Sequence, residues 1–241
     1  MTGARTALGA TSPGAQLWVK RYNGPGNGLD DATSAAVSPD GSTVYVTGHS
    51  YGGSAAGGNV YDYATVAYNT TTGAQRWVER YNGSGNGDDQ AYSVAVSPDG
   101  STVFVTGGSQ GTSTGYDYAT VAYNAATGAQ RWARRHNGPT SSDDRAESLA
   151  LSPNGKTVYV TGYSSMSVPE DRYPPTEYVT IAYRTATGTR LWARHYQNDA
   201  AAKDSATSVA VSPAGTVFIT GSSSSANATR DLDYATIAYR G

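Results

Sequence analysis

The residues whose spacing best suits chemistry are four aspartates that recur at one point of a repeated pattern. Each lies nine residues before the proline of a Ser-Pro turn, and the four are Asp30, Asp89, Asp144 and Asp204. Four carboxylates converging on one point would repel one another unless a cation lay between them, and Ca²⁺ is a hard ion that suits such oxygen ligands. The competing interpretation is structural, because each carboxylate can accept backbone N–H bonds in its own Asn-Gly-rich loop. The repetition favours the structural interpretation. If the four carboxylates instead form a cation site, Ca²⁺ is the candidate ion.

Residues that depart from the repeat are stronger candidates for ligand binding, because the scaffold does not require them. Arg145 and Lys203 enter the acidic loops only in the third and fourth repeats, and Tyr92 and Glu147 stand where the other two repeats have threonine. Tyr163 adds an aromatic ring on the same set of loops. Aromatic faces beside charged groups suit a sugar or a peptide. These five residues are the predicted ligand-binding set.

Three histidines also break the pattern, but no two of them have the spacing of metal ligands. They are His49, His136 and His195, and each is interpreted as an ordinary surface or packing residue. The chain has no Gly-x-Ser-x-Gly motif, so a hydrolase triad lacks support. The sequence therefore predicts no catalytic residue.

Composition excludes several classes of partner. The formal net charge of -2 gives no electrostatic reason to expect nucleic acid or an anionic membrane. No apolar run approaches the roughly 18 residues that span a bilayer, so no membrane span is predicted. The absence of cysteine excludes disulfides and thiolate metal sites. The chain shows no secretory signal, and the compartment stays open.

A fourfold repeat of strand-like segments must position these residues. Its tryptophans, Trp18, Trp77, Trp132 and Trp192, lie 59, 55 and 60 residues apart. Within one unit, the alternating and β-branched segments predict strands at residues 91–97, 102–106, 117–123 and 130–136. Gly or Pro turns separate the segments, and no stretch carries a helical period. Four short antiparallel strands per unit are typical of a β-propeller blade, and a β-helix is the less favoured alternative.

Two segments carry a resemblance to known propellers. Residues 67–77 resemble the tryptophan-docking motif of quinoprotein propellers, with Asn69 in place of its aspartate, and the motif recurs at 122–132 and 182–192. Residues 97–107 are similar to the Tyr-Val-Thr-Asn repeats of bacterial β-propeller repeat proteins. The resemblance implies that each tryptophan wedges between blades. The quinone is not carried over, because those enzymes typically have eight blades and a vicinal disulfide. No cofactor is therefore predicted.

The predicted fold is an all-β propeller of four four-stranded antiparallel blades. Residues 14–241 form this single domain, and residues 1–13 resemble a degenerate repeat remnant. The segment 16–22 is expected to be an outer strand that completes the last blade and closes the ring, which removes exposed sheet edges. The alternative is half of an eight-bladed ring, so both a monomer and a homodimer stay open.

The predicted function is a non-catalytic binding or interaction module. Its ligand, a small molecule, glycan, peptide or protein, would bind the face that carries the variable inter-strand loops, since function concentrates on such loops. The alternative is an enzyme of lyase, hydrolase or cyclase type that uses carboxylates of the same face with a bound cation. Propellers host many activities, so the fold alone does not decide between them.

Overall fold

The protein is an all-β chain in the computed structural model, which describes residues 12–55, 58–166, 174–199, 202–224 and 232–241. The predicted remnant at residues 1–13 lies almost wholly outside these ranges. Fifteen strands form four antiparallel sheets in the described residues, each sheet in chain order. This part of the chain holds no helix long and apolar enough to cross a membrane.

Three sheets have four strands and the last has three. The first sheet comprises β1 (Asp30–Val37), β2 (Thr43–Ala55), β3 (Gly58–Asn69) and β4 (Gln75–Tyr81). The second comprises β5 (Asp89–Val96), β6 (Thr102–Gln110), β7 (Tyr116–Asn124) and β8 (Gln130–His136). The third comprises β9 (Asp144–Leu151), β10 (Thr157–Ser165), β11 (Thr176–Arg184) and β12 (Arg190–Tyr196). The fourth comprises β13 (Ser205–Val211), β14 (Thr216–Ser224) and β15 (Leu232–Arg240).

The Ser-Pro-Asp-Gly turns set the register of the first two strands of a sheet. The Ser38 hydroxyl donates to Asp40 at 2.5 Å and accepts the Thr43 N–H at 2.9 Å. Gly41 has a φ of 71°, in the left-handed region that glycine adopts without a Cβ penalty. Equivalent bonds form in the second and third repeats. The shared turn sequence is therefore explained by backbone geometry.

Each first strand carries a β-bulge at the same point. The pairing of β5 with β6 skips Tyr92, and the other three sheets skip the equivalent residue, so the bulge residues are Thr33, Tyr92, Glu147 and Thr207. A glycine lies opposite each bulge. In the second sheet this is Gly107, where an added Cβ would overlap the carbonyl oxygen of Gln90. Bulges bend a strand and re-aim its side chain, so this position differs in direction from its neighbours.

Three hydrophobic cores hold the four sheets face to face. In the first core, Tyr45 and Trp77 of the first sheet pack with Val103 and Tyr123 of the second. The ring centroids of Trp77 lie 5.6 Å from Tyr45 and 6.3 Å from Tyr123. Equivalent residues form the second and third cores. The repeated core residues thus produce the same sheet-on-sheet step three times.

The tryptophans link adjacent sheets by hydrogen bonds as well as by packing. Trp77 Nε1 donates to the carbonyl of Ala125 in the next sheet at 2.9 Å, and Trp132 Nε1 donates to that of Thr185 at 2.8 Å. The glycine of the following Thr-Gly turn lies against the indole: a Cβ on Gly128 would be 3.0 Å from the Trp77 ring. The turn of one sheet and the indole of the previous sheet therefore fix each other.

The ring of sheets is not closed. Residues 16–22, predicted as the sixteenth strand, belong to no sheet and lie instead against the first sheet, where Trp18 bonds Thr70. Close packing between sheets runs from first to second, second to third and third to fourth. The prediction of a closed ring of four complete blades is therefore not confirmed.

Candidate functional site

The bulges place four side chains near the edge of the sheets that we call the loop face. This edge carries the β2–β3 type loops and the connections between sheets. At the first bulge, the Thr33 hydroxyl donates to the Ala91 carbonyl at 2.7 Å and so joins the first sheet to the second. Tyr92 and Glu147 stand at the next two bulges, where a longer side chain replaces this link.

The side chain of Arg145 is the centre of a cluster between the second and third sheets. Its guanidinium carbon lies 4.0 Å from the centroid of the Tyr116 ring, which is a stacked cation–π contact. One guanidinium nitrogen donates to the Tyr92 hydroxyl at 3.2 Å, and another lies 3.7 Å from a carboxylate oxygen of Asp143. The Arg145 side chain is 25% exposed, so the cluster can be reached by a ligand.

Two further predicted residues border this arginine. Tyr163 lies directly opposite Arg145 in the β9–β10 pair. Burial raises the pKa of the Glu147 carboxyl, and the nearby Arg145 charge offsets part of that shift. Burial also raises the pKa of Tyr163 to about 12. Its phenol, protonated near neutral pH like any tyrosine, can donate a hydrogen bond. We call Tyr92, Tyr116, Arg145, Glu147 and Tyr163 the Arg145 cluster.

A glycine leaves the room that the Arg145 side chain occupies. A Cβ on Gly108 would lie 3.2 Å from the Tyr116 ring and 3.3 Å from Cγ of Arg145. The first and third sheets have His49 and Tyr163 at the equivalent position, opposite the residue after the aspartate. The role of Gly108 was not predicted from the sequence. The signal that could have revealed it is a glycine at a position where two other repeats have the large residues His49 and Tyr163.

Four of the five predicted ligand-binding residues lie in the cluster, and Lys203 lies elsewhere. Lys203 is an exposed residue that bridges Thr176, and its backbone N–H donates to the Ser224 hydroxyl at 2.8 Å. It belongs to the edge between the third and fourth sheets. The cluster also includes Tyr116, which was not among the predicted ligand-binding residues. Parts of the variable loops, residues 167–173 and 225–231, lie outside the described residues.

The four recurrent aspartates each bind the backbone of their own loop. One carboxylate oxygen accepts an N–H from the residue six positions earlier, at 3.0, 2.6, 2.5 and 2.7 Å, for Asp30, Asp89, Asp144 and Asp204. Within the described ranges, no group of three or more His, Cys, Asp or Glu could hold a metal ion. Burial raises the pKa of Asp89 and of Asp144 to about 6.

A second set of acidic residues lies at the starts of the third strands, and each member contacts the fourth strand of its own sheet. Asp62 and Asp117 form ion pairs with Arg80 and Arg135 at 2.8 and 2.7 Å. In the third sheet Glu177 Oε1 lies 2.8 Å from Nδ1 of His195, which stands at the position of the arginine and forms an ion pair only when its imidazole is protonated. His136 packs edge-on against Tyr118, and burial lowers its pKa to about 4.

Fold and repeat together define a β-propeller repeat protein. A family model described as outer membrane protein assembly factor BamB matches residues 66–233, more than half of the chain. The chain belongs to this family. No curated protein matches the sequence.

Solved propeller structures resemble the fold at low sequence identity. The RRP9 WD40 repeats superpose with a TM-score of 0.55 at 12% identity, covering 79% of this chain and 45% of that one. The β-propeller domain of the Trilobed protease from Pyrococcus furiosus gives 0.51 at 8% identity, covering 87% and 54%. The Dos1 propeller gives 0.50 at 10% identity, covering 78% and 38%. The chain thus spans about half or less of each structure.

Proposed function

We propose that the protein is a non-catalytic binding module and that its Arg145 cluster receives a peptide segment of a partner protein on the loop face. Arginine and tyrosine are the residue types enriched at the centres of protein interfaces. Membership of a family described as an assembly factor supports a protein ligand over a small molecule.

The observation that carries the proposal is the fixed presentation of a partly exposed arginine. Arg145 stacks on Tyr116 at 4.0 Å and donates to Tyr92 at 3.2 Å, so its side chain is ordered before any ligand arrives. A preorganised side chain loses little rotamer entropy on binding. The surrounding phenols supply flat apolar area with a hydroxyl at the rim, which suits both the backbone and the side chains of a peptide.

A peptide-display library selected on the immobilised protein tests the proposal. We expect enriched sequences whose affinity falls about 30-fold for Arg145→Ala, because truncation of a central interface arginine costs about 2 kcal/mol. Arg131→Ala is the matched control, since Arg131 is exposed on β8 and its side chain donates to the Ser101 carbonyl, at the turn edge of the sheet. A glycan array is run on the same protein. Binding of glycans without peptides, or peptide binding that does not depend on Arg145, would contradict the proposal.

A second candidate function is an enzyme in which Glu147 is the general acid. The raised pKa of this half-buried carboxyl, near Arg145, favours it. Glu147→Gln separates the two functions, because the amide keeps the size of the side chain and cannot transfer a proton. A binding module predicts peptide affinity within about threefold of the unchanged protein, since one rim group contributes little.

A further inference from the structure

We propose that the four stacked sheets pair with a second copy of the chain to form one ring of eight sheets. In this ring, residues 16–22 of each copy form the missing outer strand of the other copy's fourth sheet. The inference concerns assembly and does not depend on the proposed ligand.

The outer face of the fourth sheet exposes aromatic residues that the other sheets bury against a neighbour. Phe218 and Tyr234 are 42% and 87% exposed. The equivalent residues of the second sheet, Phe104 and Tyr118, are 0% and 1% exposed beneath the third sheet. Burying a large aromatic side chain contributes roughly 1.5–3 kcal/mol, so this face is a strong candidate for contact with another sheet.

The opposite face of the first sheet is an apolar cavity of about 450 Å³. Its walls include Val44, Val46 and Val66. Val44 and Val46 are half-buried, whereas their equivalents in the second sheet, Val103 and Val105, are 0% exposed beneath the first sheet. The cavity is therefore the receiving side of the interface that the molecule already forms three times.

A tyrosine hydrogen bond forms at two of the three interfaces, whereas at the third the equivalent Tyr178 hydroxyl has no hydrogen-bond partner among the described residues. Tyr63 donates to the Ala119 carbonyl of the next sheet at 3.3 Å, and Tyr118 donates to the Val179 carbonyl at 3.1 Å. The equivalent acceptor of the first sheet is the Ala64 carbonyl, and Ala64 lines the cavity. The equivalent donor of the fourth sheet is the exposed Tyr234. The two open faces thus carry the acceptor and the donor of this hydrogen bond.

Residues 16–22 already occupy the place of an outer strand from a preceding sheet. Trp18 Nε1 donates to the Thr70 carbonyl at 2.8 Å, as Trp77 Nε1 does to Ala125 at 2.9 Å. Trp77 belongs to the fourth strand of its own sheet, whereas Trp18 belongs to no sheet. Residues 16–22 therefore lie against the first sheet in the place of an outer strand, but no neighbouring strand in the described ranges pairs with them. In the fourth sheet, β15 pairs with β14 on one side and with no strand on the other among the described residues.

Charge gives the pairing a specific register. The first two sheets each have an Arg–Asp ion pair between their third and fourth strands, and by the same alignment the acid of the fourth sheet is Asp233 and the cation of residues 16–22 is Arg21. Neither forms an ion pair among the described residues. The β3–β4 register, with Thr65 opposite Glu79, then places Lys20 opposite Thr236.

The geometry of the stack favours a second copy over closure within one chain. Among the described residues, no strand of the first sheet pairs with a strand of the fourth, and Tyr234 of the fourth sheet stays 87% exposed. Two copies related by a twofold axis would bury both open faces, and together they supply eight sheets.

Disulfide formation between introduced cysteines tests the pairing, and the chain has no cysteine of its own. Lys20→Cys and Thr236→Cys change two exposed residues, so both variants should fold normally. After mixing and oxidation, we expect a disulfide-linked pair of chains, one from each single variant. Gln16→Cys mixed with Thr236→Cys is the register control and should link poorly.

The same variants distinguish the alternatives. If the chain that carries both cysteines forms its disulfide only within one chain, and the mixed single variants do not link, the ring closes on itself and the proposal is wrong. If folded variants form no disulfide in either experiment, the open ends do not pair and the proposal is also wrong.

Charge reversal adds a test that unfolding cannot mimic. We expect Arg21→Glu to raise the dimer dissociation constant about tenfold, since two interfaces each lose an attraction and gain a repulsion. Adding Asp233→Arg should restore the constant to that of the unchanged protein. Failure of the second change to restore dimerisation would contradict the register.

Discussion

At the scale of single residues, the bulge position separates scaffold from candidate site. Threonine at this position joins two sheets through the Ala91 carbonyl, whereas Tyr92 contacts the guanidinium of Arg145 instead. The recurrent aspartates show the opposite case, because each one binds the N–H of its own loop. Recurrence alone therefore indicates structure, and departure from it indicates where a ligand can be recognised.

His136 should make the stability of the protein sensitive to acid. Its pKa is lowered to about 4 by burial and by the nearby charges of His195 and Arg190. Because this pKa is lower in the folded than in the unfolded state, His136 stabilises the fold above about pH 6.5. The free energy of unfolding should fall by roughly 2–3 kcal/mol as the pH drops from about 6.5 toward 4. Asp89 and Asp144, with pKa values raised to about 6, change stability in the opposite direction, since their contribution is lost as the pH rises through 6.

Denaturant unfolding of His136→Tyr and of the unchanged protein, near pH 7 and near pH 4, isolates the contribution of His136 protonation to the free energy of unfolding. Tyrosine is the residue of the other repeats at this position, for example Tyr81. The variant should gain roughly 2–3 kcal/mol over the unchanged protein on acidification, because it has no imidazole to protonate. An equal response of the two proteins to pH would show that His136 is not the cause.

At the scale of elements, the bulge depends on a glycine in the opposite strand. A Cβ on Gly107 would overlap the carbonyl oxygen of Gln90, and backbone can move little here. A Cβ on the adjacent Gly108 would meet only side chains, those of Tyr116 and Arg145. Two neighbouring glycines thus have different roles, one for the strand pairing and one for the site.

Alanine substitution at these two positions is a matched test. Gly107→Ala should lose about 3 kcal/mol of unfolding free energy, because the bulge must shift. Gly108→Ala should lose less than about 1 kcal/mol but weaken peptide binding, because Arg145 is displaced from Tyr116. Similar losses of stability for both would contradict the assignment, and calorimetry with a peptide titration measures both quantities.

The elements themselves were largely predictable from sequence. Residues 102–106 and 130–136 were expected as strands and lie in β6 and β8, because β-branched runs and glycine turns act locally. The bulge at Tyr92 was not predicted, because a register shift depends on the partner strand. The stacking of Arg145 on Tyr116 was also missed, since it requires the space left by Gly108 and the packing of two sheets.

At the scale of the whole molecule, closure is the property that sequence could not decide. Sixteen strand-like segments are compatible with a closed ring of four blades and with half of an eight-bladed ring. The number of strands does not determine the angle between neighbouring sheets. The structure packs the sheets through three similar cores and leaves Phe218 and Tyr234 exposed at one end. The proposed pairing would place Arg21 of one copy beside Asp233 of the other.

The mass of the unmodified protein in solution tests this central claim most directly. Light scattering after size exclusion, repeated over increasing protein concentration, should approach twice the chain mass of 25.0 kDa, which is 50.0 kDa. The Arg21→Glu variant should stay nearer the mass of one chain at the same concentrations. A mass of 25.0 kDa at every concentration for the unmodified protein would contradict the paired ring.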